Sequence, residues 1–321
     1  MVPRAGRAVV RASGADRASW LQGLLSNDVE ALARGRGCYA AWLTPQGRMI
    51  SDAVVLAEED TMSVEVPAVL AETVYRQLDA AVFAEEVLLT DESAVWGMLG
   101  VHGSTAAEVI ARVMVGAGPP ASRLTADDLL EWPEFAHAPV GPLGRLIRVD
   151  QYGAPGFVVR VPVDARDLWM SRLRLAGATP TAADALEFAR IEAGRPEFLV
   201  DMDADTIPLE AGIEGRAISF TKGCYVGQEV IVRIVHRGGG RVARRLVGLR
   251  LDADTVPVAR AAVRAPRGEI GRITSAAWSP RLRQPVAMAY VHRDFVEPGT
   301  ALTVDCEGVP VPAAVSAFPM E

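Results

Sequence analysis

Residues Ser219–Arg241 read SFTKGCYVGQEVIVRIVHRGGGR, and the texture of the chain changes across them. The middle of the stretch admits two conformations. VIVRIV is β-branched and suits a strand. Yet Glu229, Arg233 and Arg237 recur at four-residue steps, Val226, Val230 and Ile234 do the same on another face, and Gly238 is a natural stop. The spacing predicts a helix that ends at the glycine run. Downstream of Arg244, short apolar runs are split by Gly and Pro: RRLVGLRL, EIGRITSAAWSP, QPVAMAYVHRDF, TALTVDCEG, PAAVSAF. That is the pattern of a small β-barrel or sandwich.

Upstream the texture is mixed. SGADRASWLQGLLSNDV reads as a short helix capped near Ser13, with Trp20, Leu21, Leu24 and Leu25 on one face. CYAAWLTPQGRMISDAVVL reads as a β-hairpin turning at Thr44–Gly47, with Ser51 and Asp52 on the returning strand. A strand and a helix follow, with Val69, Leu70, Val74 and Leu78 inward. Residues 93–165 repeat strand, helix and paired strands, with a helix expected over Ser104–Gly118. DARDLWMSRLRLAGA and TAADALEFARIEAGRP are read as further helices. The expected class is α+β: two α+β domains at 1–92 and 93–237, free to interleave, and a β-barrel at 238–321.

The composition bounds the function. The chain has 321 residues, half of them hydrophobic and 23% charged, so it can build a proper core. Its net charge of −7 argues against nucleic acid as a partner and requires any anion site to be local. The first 15 residues alternate apolar pairs with arginines and do not read as a secretory signal. No segment approaches the ~20 apolar residues of a membrane span. Cys38, Cys224 and Cys306 are odd in number and scattered, which fits a reducing, cytoplasmic setting and argues against a disulfide scaffold or a metal site. Signatures of phosphate-loop, Rossmann, zincin and α/β-hydrolase chemistry are missing.

Cys224 lies beside Lys222 and just ahead of the expected helix. An ammonium and a helix start both favour thiolate, so this thiol is a candidate for reactivity. The competing reading packs it as a small hydrophobe beside Tyr225.

KGCYVGQE resembles the K-G-C-[FY]-x-G-Q-E signature of the YgfZ-type folate-binding proteins, relatives of the glycine-cleavage T-protein. WLQGLLSNDV, YAAWLTPQGRMISD, RIEAGRPEF, IPLEAG, GRITSAAWSP and VAMAYVHRDF resemble that family in its order, from about Val9 to the C-terminus. The resemblance implies a three-domain cloverleaf around a central hole that holds tetrahydrofolate or a one-carbon derivative. It implies that Glu192, in RIEAG, accepts hydrogen bonds from the pterin; the alternative is a helix charge paired with Arg190 or Arg195. T-proteins carry an acidic pair at the hairpin where this chain has Ser51 and Asp52, so one carboxylate is exchanged. Asp52 then either orients folate or closes a turn with Arg48.

The resulting expectation is a folate site with Cys224, Lys222 and Asp52 as its reactive groups. Glu192, Tyr225, Gln228, Arg233 and Arg237 are expected to hold the cofactor, the arginines by meeting its glutamate tail. Arg241, Arg244 and Arg245 fit that task or a solvated basic face equally. The implied role is support of iron–sulfur cluster assembly or repair, with client or assembly proteins as partners. Two readings compete with it: a folate-dependent aminomethyl- or methyltransferase, and a bare folate-binding module.

Overall fold

The computed structural model describes residues 1–3, 6–115, 124–141, 144–182 and 184–321. Alternation along the strands builds two five-stranded antiparallel sheets. The first is ordered Arg36–Leu43, Met49–Ala57, Thr61–Pro67, Arg7–Ser13, Leu88–Asp91. The second is ordered Val2–Pro3, Trp96–His102, Gly156–Pro162, Gly144–Val149, His137–Val140. A closed six-stranded barrel spans Arg244–Ser316. The fold is therefore the expected α+β arrangement of two sheet domains and a C-terminal barrel. Among the described residues no helix is long and apolar enough to cross a membrane.

Each sheet has an outer face under helices and an inner face toward the other sheet. In the first, Val10, Ala12, Ala40, Trp42, Ala53 and Val55 pack outward with Trp20 and Leu21 of the helix Arg17–Leu24 and Val74 and Leu78 of the helix Ala71–Asp79. In the second, Leu99, Val101, Phe157 and Val159 pack on the helices Ala106–Met114 and Arg166–Leu175. The inner faces share one core that contains Val9, Tyr39, Leu43, Val54, Met98, Val149 and Val158. Beside it lies a buried ion network. Arg160, 2% exposed, reaches Glu58 at 2.5 Å and Glu65 at 3.5 Å, while Arg145 reaches Glu58 at 2.8 Å.

Several local expectations change. The first helix begins at Arg17, because Arg7–Ser13 is consumed as a strand between two neighbours. Val69 is exposed, since Ala68–Leu70 forms a separate 3₁₀ turn ahead of the amphipathic helix. The helix expected over Ser104–Gly118 is seen as Ala106–Met114, and residues 116–118 lie outside the described residues. Chain also crosses the expected 92/93 boundary in both directions. Val2–Pro3 pairs with Trp96–His102, and the segment Phe198–Val242 contributes Tyr225 and Ile231 to the core between the sheets.

Candidate functional site

Where the inner faces diverge they leave a cavity of about 480 Å³. The first sheet contributes Arg7, Tyr39 and Asp52 to its wall, and the second contributes His102 and the adjoining Glu134, Asp150 and Tyr152. The third wall is the helix Glu187–Glu192 and the chain after it, with Arg190, Arg195, Glu197 and Arg216.

Asp52 is 5% exposed and held from two sides. Arg7 Nη1 donates to Oδ1 at 2.6 Å, and Tyr39 Oη donates to Oδ2 at 3.1 Å. Burial, and after it the charge of Asp52, lifts the Tyr39 hydroxyl well above the ordinary tyrosine range, so it stays a donor. Ser51 is fully buried on the other face. It lies opposite Trp42 in the ladder, and its Oγ donates to the Asp52 carbonyl at 2.8 Å. The period of two decides this: neighbours on a strand face opposite sides. Ser51 therefore belongs to the packed outer face, and Asp52 is the one that reaches the cavity.

The wall's cations are already matched. Arg216 forms a forked pair with Glu134 and lies over the Tyr39 ring at 5.1 Å, and Arg195 donates to Asp150 at 2.7 Å. Arg190 donates to Asp201 at 2.5 Å and to Glu187 at 2.9 Å. Glu197 is less tightly held, with Arg190 Nε 4.0 Å away. Partial desolvation pushes its carboxyl above the usual glutamate value despite that arginine. A tight turn aims it: the Glu197 N–H donates to Asp201 at 3.0 Å, and Leu199 takes a left-handed φ of 74°.

The expected site residues do not converge on this cavity. Asp52 alone of them lines it. Glu192 is buried, but its carboxylate accepts from Ser279 Oγ and, at 2.8 Å, from Arg281 Nε of the barrel. On an α-helix, positions two apart point about 200° from each other. Arg190 therefore faces the cavity and Glu192 the barrel.

Lys222 also has a different employment. Its Nζ donates to the carbonyls of Gln22 at 2.6 Å, Leu25 at 2.6 Å and Asn27 at 2.8 Å, which closes the C-terminal end of the helix Arg17–Leu24. Burial lowers its ammonium to about 8. Cys224 is exposed, and Tyr225, Val226 and Gly227 separate it from the helix Gln228–His236. Tyr225 is buried in the shared core, with Lys222 Nζ over its ring at 5.1 Å. Gln228 opens the helix, its N–H donating to Tyr225 O at 3.2 Å. Arg233 and Arg237 are exposed, because Ile231 takes the buried face of that helix.

Sequence reasoning missed Arg7, Tyr39, Glu134, Glu197, Arg216 and His102. Inward alternation with Asp52 could have pointed to Tyr39, which lies on the adjacent strand; the others require the tertiary fold.

The chain thus combines two sheet domains, with a charged chamber between them, and a C-terminal barrel. Residues 7–222 match the GCVT N-terminal domain, and residues 244–320 match the glycine cleavage T-protein C-terminal barrel domain. The chain belongs to the glycine cleavage T-protein family. It is 31% identical to an aminomethyltransferase of Saccharopolyspora erythraea across 97% of this chain and 83% of that one. A Synechococcus aminomethyltransferase is 28% identical across 96% of this chain and 83% of its own. The crystal structure of aminomethyltransferase T of the Bartonella henselae glycine cleavage system superposes with a TM-score of 0.86 at 20% identity, covering 99% of this chain and 85% of that one, a likeness of fold.

Proposed function

We propose that the chain binds a reduced folate in the central cavity and transfers an aminomethyl or methyl group to or from it. The observation that carries this reading is the buried carboxylate of Asp52, braced by Arg7 and Tyr39 on the cavity wall. The exchange at Ser51 leaves that carboxylate in place. A cavity of about 480 Å³ with aromatic and paired polar groups suits a planar heterocycle. Glu197 is the carboxylate best suited to the donor edge of a pterin, in place of Glu192. A bound folate would supply the nitrogen that carries the one-carbon unit; Asp52 would orient it or move its proton. The relatives' name, aminomethyltransferase, supports the same class. A cytoplasmic setting remains part of this proposal.

The second reading is the YgfZ-like one, a folate-binding protein that supports iron–sulfur client or assembly proteins. One observation favours it: the KGCYVGQE segment leaves Cys224 exposed. In that reading Cys224 acts at the surface, and Arg233 and Arg237 are exposed at the far end of the helix that follows it.

Calorimetric titration with tetrahydrofolate, beside turnover of an aminomethyl-lipoyl donor, tests both. The expected result is binding by wild type and by Asp52→Asn, with turnover lost in the variant by roughly 10²–10⁴-fold, the usual weight of acid–base help. No heat, and no competition by a folate analogue, would remove the folate site. Binding without turnover in the wild type would favour the second reading.

A further inference from the structure

On the second sheet the cavity wall is built around one imidazole. Trp96, Met98, Gly100 and His102 share the inner face of one strand, and Gly156, Val158 and Arg160 share that of its neighbour. Gly156 lies directly opposite His102 in the ladder, and Gly100 lies two residues before it. A Cβ on Gly156 would come within 2.3 Å of His102 Nδ1, and one on Gly100 within 2.5 Å of Nε2. Neither glycine has a left-handed φ, so backbone conformation does not call for glycine at either place. What demands it is the ring, which occupies the volume of both missing methyl groups. Tyr152 meets the same imidazole edge-on, with centroids 4.6 Å apart and planes at 82°, and both rings line the cavity. The two bare positions thus leave room for this ring, with both its nitrogens against the glycines.

We infer that His102 is a ligand-contacting residue, whose imidazole is seated by Gly100 and Gly156 to form a fixed aromatic wall on the second-sheet side of the cavity. The inference rests on the folate reading of that cavity. It supplies a contact on the second sheet, where the sequence suggested none.

Tetrahydrofolate titrations of wild type, His102→Ala, His102→Gln, Gly156→Ala and the double variant His102→Ala/Gly156→Ala test it. His102→Ala should bind roughly five- to tenfold more weakly, the weight of one aromatic packing contact with a planar ligand. His102→Gln, which keeps polarity but loses the ring, should stay nearly as weak. Gly156→Ala displaces the ring without changing a cavity side chain, so it should lose a similar factor. The double variant should be no weaker than His102→Ala, because the added methyl then meets no ring. Thermal unfolding accompanies each variant; should Gly156→Ala fail to fold, the His102→Ala and His102→Gln arms decide alone. Wild-type affinity in His102→Ala, or losses that multiply in the double variant, would overturn the inference. If the wild type binds no folate, the cavity reading has failed and the inference goes with it.

Discussion

Replacing Ser51 with aspartate recreates the acidic pair on paper and tests where that pair points. Ser51 is fully buried, opposite Trp42 and on the face that carries Ala53 and Val55. A carboxyl group there enters a packed core. Full burial raises a carboxyl pKa by about 3–5, and each unit corresponds to about 1.4 kcal/mol. Allowing for local relaxation, and adding about 1 kcal/mol for the extra volume, the variant should lose roughly 3–5 kcal/mol at pH 7. With 321 residues and an unfolding entropy of about 2.1 cal/mol/K per residue, that is a fall in Tm of roughly 4–7 °C. The folded pKa would lie above the unfolded value of about 3.9. The penalty is therefore small below pH ~4, grows as pH rises between the two values, and is complete above the folded one. Differential scanning calorimetry of both proteins from pH 4 to pH 8 measures this directly, and aminomethyl-transfer turnover should not rise. A variant as stable as wild type at pH 7, or one that gains turnover, would refute the placement of Ser51 and restore the pair as a joint catalytic feature.

Three further outcomes are expected. Alkylation followed by peptide mapping should label Cys224 first, because Cys224 is exposed while burial lifts Cys38 to about 12 and, with help from Asp305 and Glu307, raises buried Cys306. Lys222→Met should lower stability by about 2–3 kcal/mol, since it strips three charge-assisted bonds from a helix end, yet leave the Cys224 alkylation rate within about twofold; a large drop would show that the ammonium activates the thiol after all. His137, buried beside Arg145 and held down to about 4, binds its proton less readily folded than unfolded. Its contribution of about 3 kcal/mol should vanish as pH falls from about 6.5 to 4, and His137→Gln should flatten that part of the stability curve; an unchanged slope in urea titrations would contradict this.

The architecture was legible because it is written in short periods. Turn residues at Thr44–Gly47 and alternation on both sides identify the hairpin, where Gly47 indeed has a positive φ of 73°. The Gly- and Pro-divided runs after Arg244 likewise close into the barrel. Val2–Pro3 was not legible as a strand, since two residues carry no period. The site was less legible for a related reason. Period gives the face of a strand or helix but not what that face will meet. Alternation separates Asp52 from Ser51, but which side held the cavity depended on the second sheet. Helical rotation separates Arg190 from Glu192, but the barrel's claim on Glu192 through Ser279 and Arg281 comes from residues almost 90 positions away.

The octamer at Lys222–Glu229 can be taken apart by the same logic. Lys222 is accounted for by three carbonyls at a helix end, and Tyr225 by the core between the sheets. Gly227 has a φ of 85°, and a Cβ there would meet the Thr44 carbonyl at 2.5 Å. Val230, just beyond, packs so closely on Gly47 that a Cβ on that glycine would come within 2.9 Å. The segment is thus a clamp that fastens the start of the helix Gln228–His236 to the hairpin whose returning strand carries Asp52. Packing explains the lysine, the tyrosine and the second glycine. It does not explain an exposed thiol at Cys224, and no cavity group does either. On this geometry Cys224→Ser should spare folate affinity and stability, while Lys222→Met spares the thiol. The two variants therefore report separately on one stretch of sequence, Lys222→Met on the clamp and Cys224→Ser on the thiol.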